Sequence, residues 1–349
     1  MNFCELSEKD LVEWLTTQNE KAFVAKQLME WVYVKNITDW DLMTNIGKEL
    51  RQKLKEKMKL PTLTLVQVQP SNDLETFKFL WKLNEGSFVE SVLIMSGDRR
   101  TLCVSSQVGC PAKCAFCASG KQGFMRNLRP AEITEQVLLV NQWLAAKGER
   151  ICHIVYMGMG EPFKNYDAVT QSIRQITNPL TFNISSRRIT VSTVGIVEGI
   201  KRFTSEDFKV NLVLSLHAPN QKIRLKIIPY ARKYPLEDIM QAMDDYSTKT
   251  KRDITYEYTL IAGINDHPDH AHELAHLLKG KQCTVNLIPY NPVPGVHLKR
   301  PDKQSIKAFR AVLFGCKVPN TCRYTKGDDI AAACGQLALQ NAVELEKTG

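Results

Sequence analysis

Cys110-Pro111-Ala112-Lys113-Cys114-Ala115-Phe116-Cys117 places three thiols in eight residues at the spacing C-x3-C-x2-C. A structural zinc site takes four ligands, commonly delivered as two knuckle pairs. Three local cysteines suit instead a [4Fe–4S] cluster in which one iron has no protein ligand. That open iron can hold a chelating amine and carboxylate, which S-adenosylmethionine (SAM) offers. A zinc knuckle completed by a distant Cys or His stays open as the alternative.

The 349 residues have room for one large domain and a small one, and 44% hydrophobic content supports a sizeable core. This excludes a disordered chain. The net charge of +9 favours a polyanionic partner such as nucleic acid, although charge alone also fits an ordinary basic enzyme. Ten cysteines without a signal peptide point to a reducing compartment, so the expected location is cytoplasmic. No apolar run is long enough to span a bilayer, so no membrane partner is expected.

Residues 1–61 read as a small helical unit, opened by a capping pair at Ser7 and Asp10. Apolar stripes follow at Leu11, Val12, Trp14 and Leu15, then at Phe23, Leu28, Trp31 and Val32, then at Leu50, Leu54 and Met58. The third stripe shares its helix with Lys48, Arg51, Lys53, Lys55, Lys57 and Lys59, either a solvated face or an RNA contact. Residues 62–98 hold three alternating apolar runs separated by Pro70-Ser71-Asn72-Asp73 and Asn84-Glu85-Gly86, the pattern of antiparallel hairpins. Glu90 interrupts the third run, where a carboxylate can simply face water.

From residue 99 onward strands and helices alternate. Strands are expected at 101–107, 151–157, 187–193, 209–216, 254–261 and 284–289. Helices are expected near 131–146, 165–176, 196–203, 235–248, 268–279 and 302–314. Six such βα units argue for an α/β fold, a parallel sheet curled with its helices outside.

Four segments carry a resemblance. They are Thr101–Gly109 leading into the cysteines, Gly120 to Arg129 behind them, Tyr156-Met-Gly-Met-Gly160-Glu161-Pro162, and Lys326-Gly-Asp-Asp-Ile-Ala-Ala-Ala-Cys334-Gly-Gln-Leu337. Together they resemble the RlmN/Cfr family of radical-SAM RNA adenine methyltransferases, on its RlmN branch, over essentially the whole chain. The resemblance implies a partial (βα)6 radical-SAM barrel over residues 99–349, open to a large substrate, with a C-terminal catalytic loop. It also implies an RNA-holding N-terminal helical domain. Its cofactors are a [4Fe–4S] cluster on Cys110, Cys114 and Cys117, and SAM contacted by Gly160, Glu161, Ser192, Ser215, Leu216, His217 and Asn291.

The catalytic residues so implied are Glu90, Cys103 and Cys334. Cys334 accepts a methyl group from one SAM, and a radical made from a second SAM activates that methyl for addition to adenine. Glu90 takes the ring proton, and Cys103 attacks the sulfur of Cys334 to free the RNA, leaving a disulfide. The expected substrate is carbon 2 of an adenine in the peptidyl-transferase centre of 23S rRNA, met before subunit assembly is complete. An adenine beside a tRNA anticodon is a further expected substrate. An electron donor is needed, and the chain is expected to be a monomer. Cfr-like methylation at carbon 8 stays open, as does a non-catalytic RNA-binding protein with a structural metal knuckle.

Other motifs weigh less. His272-Glu273-Leu274-Ala275-His276 has the H-E-x-x-H form of zinc proteases. It has no glutamate to serve as third ligand between Glu273 and Glu344, and Lys279 occupies the glycine position of the longer metzincin motif. It reads as a coincidence on a solvated helix. Arg126, Arg129, Arg187, Arg188, Lys249, Lys251 and Arg252 are available for phosphate contacts.

Overall fold

The computed structural model describes residues 1–322 and 326–337. Its first helix, α1 (Glu8–Thr17), begins where Ser7 Oγ accepts from the Asp10 amide and Asp10 accepts from the Ser7 amide. That reciprocal bonding satisfies donors a helix start otherwise leaves bare. Leu11 and Leu15 turn inward. Helix α2 (Phe23–Met29) continues into a π turn, Glu30–Val34, and buries Leu28, Val32 and Tyr33. Phe23 does not join that stripe: it stands at the helix start and is 55% exposed. Helix α3 (Lys48–Lys57) buries Leu50 and Leu54 beneath its basic residues.

Three strands follow, β1 (Thr64–Pro70), β2 (Thr76–Lys82) and β3 (Phe88–Ser96), paired antiparallel in that order. Trp81 and Phe79 stack 5.6 Å apart, and the Trp143 ring meets Phe79 edge-on. Strand β3 then pairs antiparallel with β4 (Arg99–Cys103), so the hairpin segment and the parallel region form one sheet.

The remaining elements are β5 (Gln107–Gly109), α4 (Ala118–Gln122), β6 (Phe124–Asn127), α5 (Pro130–Ala145), β7 (His153–Tyr156), α6 (Tyr166–Thr177), β8 (Ile189–Thr193), α7 (Val197–Thr204), β9 (Asn211–Ser215), α8 (Gln221–Ile227), α9 (Leu236–Thr250), β10 (Ile254–Leu260), α10 (Pro268–Leu277), β11 (Cys283–Pro289), α11 (Lys303–Gly315) and β12 (Asn320–Cys322). The main sheet has the order β1-β2-β3-β4-β7-β8-β9-β10-β11-β12, and every pair from β4 to β12 is parallel. Buried Ile, Val, Leu and Tyr fill its central strands, as expected of a sheet covered on both faces.

The expected α/β architecture, a parallel sheet with its helices outside, is present. Three local features differ. The strand expected over 101–107 stops at Cys103, because the Gln136 side chain takes both the amide and the carbonyl of Ser105. Residues 107–109 join a separate ribbon with β6. Helices α4 and α8 and strands β6 and β12 are additional to the expected elements; all are short.

Helix α5 ties the first unit to the sheet. Its buried Glu135 carboxylate accepts from Asn2 Nδ2, Thr62 N, Thr62 Oγ1 and Leu63 N. Burial raises the pKa of that carboxyl, and the four donors act against the rise.

Candidate active site

The cysteine loop leaves the β5–β6 ribbon at Gly109, whose φ is +72°. A Cβ there would lie 1.8 Å from the Gly123 carbonyl oxygen, so only glycine permits this approach. The Cys110 amide donates to Gly123 O at 3.0 Å, and the Ala115 amide donates to Ile227 O at 2.9 Å. The loop is thereby fastened to the ribbon on one side and to α8 on the other.

All three loop cysteines are free thiols. Burial pushes the Cys110 thiol up to about 12 and raises Cys114 and Cys117 as well, with mutual repulsion adding to Cys110 and Cys114. Thiols so placed give up their protons when a metal centre takes the charge. Among the described residues, no three His, Cys, Asp or Glu side chains gather at one metal-ion position. Three thiolates from one loop suit a cluster, whose separate irons would each take one.

The loop faces a cavity walled by the C-terminal ends of successive strands, where parallel sheets gather their ligands. Gly160, Glu161, Ser192, Ser215, His217 and Asn291 all line it, together with the three cysteines. Ser192 and Ser215 stand on neighbouring strands, with hydroxyl oxygens 3.0 Å apart. At Gly160, with φ of +110°, a Cβ would press within 3 Å of Ser106 and Gln107. Leu216 contributes no side chain to this wall. It is fully buried, and its amide donates to Glu257 O while its carbonyl accepts from Arg224 Nε.

Glu161 is buried, and desolvation lifts its carboxyl to about 6. Donors from Val194 N, Thr193 Oγ1 and Phe163 N hold it in place. His217 also sits at positive φ, +54°, and its Nδ1 accepts from the Thr259 amide at 2.9 Å. Burial drives its pKa down to about 3, with the Arg224 charge adding to the effect. The ring is therefore neutral, and the accepting Nδ1 leaves the proton on Nε2.

Cys334 is exposed on the C-terminal segment and reaches the same cavity. Asn291 Nδ2 donates to Cys334 O, the Ala118 amide to Gly335 O and Ser119 Oγ to Leu337 O. Cys103, at the end of β4, lies opposite Val92 of β3 and Val155 of β7. Its pKa is raised first by burial and then by the charge of Cys334, so the two sulfurs lie within electrostatic reach of each other.

Glu90 does not face water. Its carboxylate is 3.5 Å from Lys78 Nζ, and both side chains are almost fully enclosed. Glu90 pairs across from Leu80, and Lys78 from Val92, so one sheet face carries Lys78, Glu90 and Cys103.

Two cavity features escaped the sequence reading. Glu257 of β10 lines the cavity as a buried carboxylate. The signal that singled out Glu90, an acid inside an apolar strand, was also present in Ile254-Thr-Tyr-Glu257-Tyr. Phe116 sets its ring edge-on to His217 at 4.7 Å.

Several basic candidates are already engaged. Arg126 pairs with Glu85 and Glu132, Arg129 with Glu5 and Glu132, and Arg252 donates to Asn211. Arg187, Arg188, Lys249 and Lys251 are exposed.

A cysteine loop above the C-terminal ends of a parallel sheet, opening on a cavity lined by Glu161, Ser192, Ser215, His217 and Asn291, is the arrangement of a radical SAM enzyme. Residues 104–275 match the radical SAM superfamily, and residues 1–60 match the ribosomal RNA large subunit methyltransferase N-terminal domain. The chain is 67% identical over 97% of its length to the probable dual-specificity RNA methyltransferase RlmN 2 of Protochlamydia amoebophila (strain UWE25), covering 95% of that protein. It is 43% identical to the probable dual-specificity RNA methyltransferase RlmN of Thermotoga neapolitana, covering 98% of both chains. The crystal structure of a radical SAM methyltransferase from Sphaerobacter thermophilus superposes with a TM-score of 0.95 at 41% identity, covering 97% of this chain and 99% of that one. The chain belongs to the RlmN family of radical SAM RNA methyltransferases.

Proposed function

We propose that this enzyme methylates carbon 2 of an adenine in 23S rRNA and of an adenine beside a tRNA anticodon, with Cys334 as the methyl carrier. The relatives' names give dual specificity on RNA, and the N-terminal family match names large-subunit ribosomal RNA. The observation that carries the reading is Cys334 at the cavity of the cysteine loop, with Cys103 within electrostatic reach on the sheet. Carbon 2 of adenine is electron-poor, so a simple methyl transfer to it has no nucleophile to use. A carrier thiol and a resolving thiol answer that difficulty.

Cys110, Cys114 and Cys117 would hold a [4Fe–4S] cluster, which with SAM supplies one-electron chemistry for hydrogen abstraction. Gly160, Glu161, Ser192, Ser215, His217 and Asn291 would bind and orient SAM, with the Leu216 backbone holding the neighbouring turn. His217 offers a fixed Nε2–H donor, and Glu161 a carboxylate for an ammonium. Cys334, on its exposed loop, accepts the methyl group and presents it to the base. Glu90, paired with Lys78, would receive the ring proton. Cys103 then attacks the Cys334 sulfur, releasing methylated RNA and forming a disulfide that an electron donor must reduce. Residues 1–61 grip the RNA, with the exposed lysines of α3 toward phosphates. The enzyme acts in the cytoplasm as a monomer, on rRNA not yet fully assembled.

The test uses labelled RNA on a denaturing gel under anaerobic, reducing conditions, followed by mass analysis of the nucleosides. Wild-type enzyme should give 2-methyladenosine. Cys334→Ala should give neither methylated protein nor adduct, whereas Cys103→Ala and Glu90→Gln should accumulate a covalent protein–RNA band. Clean multiple turnover by Cys103→Ala would remove the resolving role, and 8-methyladenosine would move the reaction to the other ring carbon.

A further inference from the structure

Arg224, in α8, is fully enclosed, yet its guanidinium has no carboxylate in contact. Nε donates to Leu216 O, and Nη2 donates to Val194 O and Ser215 O. Nη1 finds no partner among the described residues. Burial pulls the pKa down only to about 10, so the group stays cationic. An enclosed cation satisfied by carbonyl dipoles alone, with one donor idle, is costly unless an anion faces it.

The surroundings indicate where that anion belongs. Val194 and Ser215, two of the three residues whose carbonyls hold the guanidinium, line the cavity. The Ala115 amide, next to Cys114, donates to Ile227 O one turn beyond Arg224, and Ile223 and Ile227 pack in one apolar cluster with Cys110 and Cys114. Arg224 thus stands behind the cavity wall on the side where the cysteine loop docks. Glu161, the other buried acid nearby, is held by three donors of its own, and its charge reaches Arg224 without a hydrogen bond between them.

We propose that Arg224 is the fixed counter-charge for the thiolate-bound iron–sulfur group, a positioning residue that stabilises its anionic, reduced form. The inference rests on the reading of Cys110, Cys114 and Cys117 as cluster ligands. Three thiolates make the loaded site anionic, and each added electron makes it more so. A cation held nearby in a low-dielectric interior favours the electron's arrival.

Two substitutions separate charge from scaffolding. Arg224→Gln keeps an N–H donor for the carbonyls and removes the charge, whereas Arg224→Lys keeps the charge and loses the fork. Full-length wild-type and variant proteins are reconstituted anaerobically, and iron content, retention against a chelator and an EPR-monitored redox titration without SAM are measured. SAM binding is then measured on each. Arg224→Gln should show a more negative midpoint potential and faster iron loss, while Arg224→Lys stays close to wild type in potential. A wild-type potential in Arg224→Gln overturns the proposal. If that variant does not fold, a clearly more negative potential in Arg224→Lys overturns it. Unchanged potential with about tenfold weaker SAM binding would reassign the charge to the SAM carboxylate and overturn the proposal as stated. Wild-type protein that takes up no iron would instead overturn the cluster reading beneath it.

Discussion

Two hollows in this protein bring histidine and cysteine together, and they are built in opposite ways. One lies at the C-terminal ends of the strands, where Cys110, Cys114, Cys117 and His217 are held by backbone bonds and surrounded by apolar residues. The other lies against α10 and α11, where His272 and His276 line a surface depression with Cys316, Lys279 and Lys281. There Cys316 Sγ is 3.9 Å from His272 Nδ1, and both histidines are exposed. The first hollow shifts the proton affinity of Cys110, Cys114, Cys117, Glu161 and His217. In the second, Asn220 Nδ2 donates to Glu273, the motif's would-be base. A metal-like spelling on a solvated helix does not make a site; enclosure and fixed orientation do.

The comparison can be broken most sharply at the inner cysteines. Cys110→Ala, Cys114→Ala and Cys117→Ala should each lose iron binding and RNA methylation entirely, while far-ultraviolet circular dichroism stays at the wild-type shape. Full cluster absorbance in any of them would take that residue out of the ligand set.

A smaller effect is expected at Glu161. Burial lifts its folded carboxyl to about 6 from an ordinary 4.5, so the fold favours the protonated form. The stabilisation this gives is complete below 4.5 and is lost as pH rises through 6, about 2 kcal/mol in all. Urea titrations of apo wild type and Glu161→Gln across that window should diverge by that order. Parallel profiles would show that the carboxyl is better solvated than its enclosure suggests.

The smallest effect belongs to the outer hollow. His272→Ala with His276→Ala should leave methylation and SAM affinity unchanged and move stability by less than about 0.5 kcal/mol. A tenfold loss of activity would erase the contrast between the two hollows.

Much of the inner site was legible because its chemistry is written locally. Three cysteines within one loop, and a carboxylate inside an apolar strand, are signals a chain carries without its fold. The parallel sheet was readable from alternation alone. What escaped depends on long-range contacts. Gln136 ends β4 from 31 residues away, by bonding Ser105 in place of a neighbouring strand. Arg224 lies in Gln221-Lys-Ile-Arg-Leu-Lys-Ile227, a short, basic-looking stretch whose one buried cation cannot be told from its exposed lysines. At Leu216 the resemblance points to a position, but the side chain turns away and only the backbone remains near the cavity.

The loop that bears Cys334 rests on Asn291, Ala118, Ser119 and, through Gln336, on Pro292. Each such bond contributes about 1 kcal/mol net, and together they latch the backbone while the thiol itself stays open to solvent.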